Sequence, residues 1–224
     1  MNQRFQDSMA ICRKFRKPDI FLTMTANPQW PEIQAQLLWE VPPQPGAHHQ
    51  QRKQRACDRP DIVARVFELK KQELLKDIRK NGIFGKVSAM VHTIEFQKRG
   101  LPHMHLLIFL DQADKIHDAA HVDTIVSAQI PDPLLHPLLY HTVTTCMLHG
   151  RCGGDKDPNK PNPPCMVNGH CSKQFPKEFL ETTLYGENGY PRYARPNNGR
   201  TIEKNGFTYD NTRVVPYNPY LSAK

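Results

Sequence analysis

The stretch Ile94-Glu95-Phe96-Gln97-Lys98-Arg99-Gly100-Leu101-Pro102-His103-Met104-His105-Leu106-Leu107-Ile108-Phe109 decides the fold. Apolar, strand-favouring residues flank a polar, Gly-containing step, Gln97 to Gly100. That pattern predicts two strands, 86–96 and 103–110, joined as a hairpin. Alternate residues of a strand share a face, so His103 and His105 project to one side and Met104 to the other. Two neutral imidazoles so placed can ligate one divalent metal. With the turn centred near 97–100, Glu95 falls opposite His103, where its carboxylate can complete a site for a hard cation, Mg²⁺ or Mn²⁺. The plainer alternative is a core histidine, a surface histidine and a solvated glutamate.

Working outward, Pro60 to Lys80 carries apolar residues at three- and four-residue steps and stops at Asn81-Gly82, the pattern of a long amphipathic helix. Asp19 to Thr25 reads as a buried strand ended by Ala26-Asn27-Pro28, and residues 5–16 as a short amphipathic helix stopped by Pro18. Trp30 to Trp39 reads as a helix with Pro31 in its first turn. The Pro-, Gln- and His-rich stretch at about 41–57 reads as a flexible loop. Further on, helices are expected at 119–129 and 134–148, and short strands at 206–209 and 213–215. The expected fold class is α+β: an antiparallel sheet flanked by helices, with a Cys/His-rich loop region toward the C-terminus. The expected organisation is a core over 1–148, a metal-binding loop over 149–176 and a final segment over 177–224.

The chain has 224 residues and a formal net charge of +8. Its longest strongly apolar run, Leu106 to Leu110, is too short to span a bilayer. Met1-Asn2-Gln3-Arg4 leads into no apolar core, so no signal peptide is expected. Six cysteines are too few for a disulfide scaffold at this length and fit a reducing, intracellular compartment, which turns attention to metals. The positive charge favours a polyanionic partner, nucleic acid before acidic membrane. Arg13, Lys14, Arg16 and Lys17 form one cluster. Arg52, Lys53 and Arg55 form another, and a third set, Lys173, Lys177, Arg192, Arg195, Arg200, Lys204 and Arg213, lies in the C-terminal third. Solvated surface charge is the bland alternative for all three.

His149-x₂-Cys152-x₁₂-Cys165-x₅-Cys171 offers four soft ligands over 23 residues. The Gly-, Asp-, Asn- and Pro-rich loop among them cannot hold a shape by packing, and a four-coordinate Zn²⁺ would order it. The second spacing is wider than a usual zinc pair. Cys146 and His170 compete as ligands, and reduced thiols in a loop remain the alternative.

Several motifs resemble a known family. Phe21-Leu22-Thr23-Met24-Thr25-Ala26-Asn27-Pro28-Gln29-Trp30-Pro31-Glu32-Ile33 resembles the first motif of the replication-initiator (Rep) domain of Helitron transposases. Ile94 to His105 is similar to its second motif, the His-hydrophobic-His (HUH) signature. Arg59 to Phe67, Pro164-Cys165-Met166, Cys171-Ser172-Lys173 and Val214-Val215-Pro216-Tyr217-Asn218-Pro219-Tyr220-Leu221 extend the resemblance nearly end to end. It implies a nuclear, single-stranded DNA endonuclease of rolling-circle transposition. Its partner would be transposon-end DNA, a metal at His103, His105 and Glu95 would polarise the scissile phosphate, and a tyrosine would form a 5′-phosphotyrosine link. Arg13, Lys14, Arg16 and Lys17, with Lys98 and Arg99 of the hairpin turn, are the expected DNA-contacting cations. Trp30, Tyr217 and Tyr220 are candidate base-stacking platforms or else ordinary core aromatics.

The family's nucleophiles are two tyrosines four residues apart on one helix. No two tyrosines here have that spacing, and a helix through Tyr217 and Tyr220 conflicts with Pro219. The resemblance places the pair beyond Lys224, leaving Tyr220 as a fallback nucleophile. No phosphate-binding Gly-x-x-x-x-Gly-Lys-Ser/Thr loop occurs either, so the helicase that accompanies the family domain is expected to be missing. The expectation is a Rep-domain fragment that binds metal and DNA but cleaves poorly. A non-catalytic single-stranded DNA-binding module and a decayed transposon remnant are the alternatives.

Overall fold

A computed structural model describes residues 2–38, 53–97, 100–155, 161–186 and 189–224. The chain divides into two compact units, Met1–Lys115 and Ile116–Lys224. This division falls earlier than the boundary near 148 read from composition.

The first unit runs α1 (Asn2–Phe15), β1 (Ile20–Thr25), α2 (Pro31–Gln34), α3 (Pro60–Arg79), β2 (Val87–Phe96) and β3 (Pro102–Leu110). The three strands form one antiparallel sheet in the order β1-β3-β2, so the histidine-bearing strand is central. The β2–β3 hairpin closes through Gln97 N–H donating to Leu101 O (3.0 Å) and Gly100 N–H donating to Gln97 O (2.7 Å). Gly100 sits at φ +76°, a backbone state that glycine adopts without Cβ strain. α3 begins with Pro60, whose missing N–H costs nothing in a first turn, and ends before Gly82 at φ +62°. Its stripe of Val63, Val66, Phe67, Leu74 and Ile78 is buried. Met104, Leu106 and Ile108 of β3 are fully buried on the sheet face opposite the histidines. Burying three such side chains contributes roughly 4.5–9 kcal/mol at about 1.5–3 kcal/mol each. Asp19 ties the strand ends together, accepting from Leu110 N–H and from Lys115 Nζ, each at 2.8 Å.

β1 corrects the buried strand expected at 19–25. Only Ile20 is buried and Phe21 is 62% exposed, because one face of the sheet is open. The helix expected from Trp30 to Trp39 is a single turn, Pro31–Gln34. Of the loop expected at 41–57, residues 41–52 lie outside the described residues. Ala56–Asp58 forms a short 3₁₀ turn, closed by Arg55 N–H donating to Asp58 Oδ2 (2.9 Å).

The second unit contains α4 (Ala119–Ile125), α5 (Pro137–Cys146), β4 (Met166–Val167), β5 (His170–Cys171), β6 (Leu184–Tyr185), β7 (Pro191–Arg192), β8 (Ile202–Lys204), β9 (Phe207–Tyr209) and α6 (Pro219–Ser222). Its strands form two-residue and three-residue hairpins, and its buried cluster joins Ile130, Leu139, Val143, Val214 and Tyr217. The helix expected at 119–129 ends at Ile125. The strand expected at 213–215 is instead a 3₁₀ turn over Asn211–Arg213 followed by an isolated bridge from Val214 to Leu148. A helix does form at Tyr220: Pro219 takes its first position, where proline is favoured, and Asn218 caps it by accepting from Leu221 N–H (2.8 Å). α+β is therefore the fold class observed.

Candidate functional site

The sheet register brings the first set of donors together. Across the central strand, Glu95 of β2 and Thr25 of β1 both pair with His103, while Thr93 and Thr23 pair with His105. These residues, with Phe21, line the open face. Glu95 faces His103 along the backbone, yet its carboxylate reaches the diagonal neighbour, with Oε1 3.3 Å from His105 Nε2. The two imidazoles lie edge to face with centroids 4.5 Å apart. One ligand atom from each of Glu95, His103 and His105 falls within 4.8 Å of the others.

Two neighbours that carry no role in the sequence reading fix these rings. Thr25 Oγ1 is 2.6 Å from His103 Nδ1. The tautomer that donates Nδ1–H to this hydroxyl leaves the Nε2 lone pair for a cation. Phe21 stacks on His105 at 5.5 Å and 10°. His105 Nδ1 is buried without a hydrogen-bond partner among the described residues. The polar capacity of that ring is thus directed through Nε2, toward Glu95. Burial, followed by the neighbouring His105, lowers the His103 pKa, a shift toward the neutral ring that a ligand needs. Two imidazoles and a carboxylate on rigid strands fit a divalent cation. Thr25 and Phe21 both sit in the quoted first motif, but only the register shows which ring each one touches.

The second set also converges. His149 Nε2 is 3.5 Å from both Cys152 Sγ and Cys171 Sγ, and the ligand atoms of His149, Cys152, Cys165 and Cys171 all lie within 4.8 Å of one another. Cys146 and His170 are not part of this set. Burial, then the charges of Arg213, Lys177 and Lys173, lowers the His149 pKa. Burial, then Cys171, pushes the Cys165 thiol up to about 11. Burial opposes ionisation of Cys171, but backbone N–H groups of Phe175 and Lys173 help to outweigh it and its pKa is lowered.

Among the expected DNA-contacting cations, Arg13, Lys14, Arg16 and Lys17 are all exposed at and after the end of α1. Lys98 and Arg99 lie outside the described residues. The basic set of the C-terminal third is largely engaged internally. Arg195 and Arg213 are buried, the first donating to Asn211 O (2.6 Å) and Val214 O (2.7 Å). Arg200 pairs with Asp132, Arg192 with Glu178, and Lys204 Nζ caps α5 at Thr144 O (2.8 Å). Arg195 and Arg213 are interior to the unit, whereas Arg192 and Arg200 stay exposed in their pairs. Tyr217 is not a stacking platform: it is buried, and its hydroxyl donates to Gln129 O (2.9 Å). Trp30 is half-buried under Lys70 Nζ, 5.2 Å from its ring centroid. Tyr220 is exposed in α6.

Among curated proteins no match was found. Residues 1–108 match the family described as the Helitron helicase-like domain at N-terminus, a span that runs from α1 through the two histidines of β3. Over these residues the chain is similar to the Helitron helicase-like N-terminal domain family.

Proposed function

We propose that the first unit is the DNA-processing module of a Helitron-type rolling-circle transposase, with its open sheet face as the seat of a single-stranded DNA phosphate. The observation that carries this reading is the convergence of Glu95, His103 and His105 on an exposed sheet face inside the family-matched residues. A bound Mg²⁺ or Mn²⁺ would polarise a phosphoryl oxygen and neutralise charge developing there. The chain's own residues do the rest. Thr25 holds the His103 ring, Phe21 holds the His105 ring, and the β2–β3 ladder fixes Glu95 against both. Arg13, Lys14 and Arg16 supply exposed positive charge for the DNA backbone. In the resembled family a tyrosine hydroxyl attacks phosphorus, the strand departs with a free 3′-OH, and the phosphotyrosine link conserves the bond for rejoining.

The test compares wild-type protein with a His103→Ala, His105→Ala double variant. Mn²⁺ binding is measured by calorimetry, and affinity for a labelled single-stranded oligonucleotide is measured with and without Mn²⁺ at fixed salt. We expect Mn²⁺ to bind the wild type and tighten its DNA binding, and both effects to vanish in the double variant. Equal Mn²⁺ uptake by the two proteins would sink the reading. Denaturing gels of the same reactions report whether a covalent protein–DNA adduct forms. An adduct that survives Tyr220→Phe would exclude Tyr220 as the nucleophile.

A further inference from the structure

The thiol cluster lies beyond residue 108, outside the family-matched span, and its argument is independent of the DNA site. Between residues 149 and 180, Cys152 is the sole buried residue among those described. A stretch of this length with one buried side chain has no apolar core to specify its shape, and small units of that kind are held by disulfides or metals. The cysteines here are free thiols.

The chain geometry nonetheless brings the four ligands to one point. Cys152 follows His149 by three residues, and His149 is anchored by its N–H donating to Arg213 O (2.8 Å). The wide Cys165-to-Cys171 spacing is a β-hairpin: Met166 pairs with Cys171 and Val167 with His170, across Asn168 at φ +50° and Gly169 at φ +81°. Two successive positive-φ residues, Asn then Gly, are the signature of a type I′ turn. That turn folds Cys171 back beside Cys165, and Ser172 N–H donating to Cys165 O (2.7 Å) closes the end. The His149 ring stacks on Phe175 at 4.2 Å and 11°, which sets its plane.

The distances then discriminate between a hydrogen-bonded thiol cluster and a cation site. His149 Nε2 is 3.5 Å from two sulfurs at once. One ring nitrogen carries either one proton or one lone pair, so it cannot make two full hydrogen bonds. Tetrahedral zinc, with Zn–S of about 2.3 Å and Zn–N of about 2.0–2.1 Å, requires N···S edges of about 3.5 Å. A Cys₃His zinc centre carries a net charge of about −1, since three thiolates outweigh the dication. Arg213, 2% exposed, places Nη1 3.5 Å from Cys152 Sγ and 3.1 Å from Gly150 O, and also pairs with Asp155. A buried guanidinium donating to a sulfur is the outer neighbour such an anionic centre calls for.

We propose that His149, Cys152, Cys165 and Cys171 hold one zinc ion in a closed structural site, with Arg213 as the charge-balancing positioning residue. The site has four protein ligands and no open position for substrate, so its role is to order the segment that joins α5 to the β4–β5 hairpin.

The test uses the full chain, stripped of metal under reducing conditions and titrated with Co²⁺, which takes zinc's tetrahedral geometry and reports thiolate ligation in its absorption spectrum. We expect one equivalent of Co²⁺ with intense visible bands and sulfur-to-metal charge transfer, displaced by one equivalent of Zn²⁺. Cys165→Ser and Cys171→Ser should each weaken the charge-transfer band and lower Zn²⁺ affinity at least tenfold. Cys12→Ser and Cys146→Ser should leave the spectrum unchanged. Should a Cys→Ser variant not fold, His149→Cys keeps four ligands, and its bands should move to lower energy while the stoichiometry stays at one. The His103→Ala, His105→Ala variant should retain the full spectrum, so failure of the DNA-site reading and failure of this one are separable. An octahedral, thiolate-free Co²⁺ spectrum, or one unaltered in Cys165→Ser and Cys171→Ser, would overturn the proposal.

Discussion

On β3 the side chains alternating with the two histidines are fully buried, whereas the segment around the three clustered thiols buries Cys152 alone among its described residues. The first cluster is held from beneath. Met104, Leu106 and Ile108 lock the strand, both neighbouring strands pair with it, and the histidines need no metal to keep their places. The second cluster has turns and an arginine around it but little apolar packing. One set of ligands is displayed by a core, and the other stands in for one. A cation at the first set would add chemistry to a finished fold, and one at the second would contribute to the fold itself.

The largest expected effect tests the second half of that contrast. Removing metal with a chelator, or replacing Cys171 by Ser, should lower the stability of the C-terminal unit by several kcal/mol. The first unit should melt unchanged. Calorimetric scans of both forms provide the check, and a chelator-insensitive C-terminal transition would break the comparison. Next comes Met104→Ala, which leaves a cavity beneath the histidines and should cost about 2–5 kcal/mol of first-unit stability by denaturant titration. A cost under ~1 kcal/mol would mean the histidine strand is not held by its core.

Thr25→Val should leave melting nearly intact while weakening Mn²⁺ binding by about 10–100-fold, the usual penalty for removing a hydrogen-bonding neighbour of a ligating histidine. Unchanged Mn²⁺ affinity would show that the Thr25–His103 contact does not orient the ring. The smallest effect concerns the ion pair between Lys70 of α3 and Glu32 of α2, at 2.8 Å. The Lys70 hydrogen bond lowers the Glu32 pKa, so the unfolded chain binds the proton more readily than the folded one. This contribution is fully present above the ordinary glutamate pKa and fades as pH falls through the lowered one. Glu32→Gln should cost about 0.5 kcal/mol at neutral pH and nothing measurable in acid. A penalty that persisted at low pH would assign the effect to packing.

Particular residues show where local sequence was sufficient. α3 starts at Pro60 and ends at Arg79, one residue from the expected stop, because twenty residues of periodicity leave little choice. The hairpin turn at 97–100 implied that Glu95 faces His103, and the register pairs them. Short elements behaved differently. The helix expected over Trp30 to Trp39 shrank to Pro31–Gln34 among the described residues, while β8 went unanticipated because three residues carry almost no period. Pro219 argued against a helix when treated as an interior residue, whereas at a first position it favours one.

Sequence alone thus determined the α+β class, the long helix and the histidine hairpin, and nominated the candidate donors of both sets, since each is written in local periodicity or spacing. Tertiary structure decided which face stays open, and that Glu95 leans to His105 rather than to the residue it pairs with. It placed Thr25 against His103, and turned Arg195 and Arg213 from apparent surface charge into buried donors. Those outcomes depend on residues tens of positions apart meeting across strands and loops. No local pattern carries that information, because a side chain's partners are set by what packs against it.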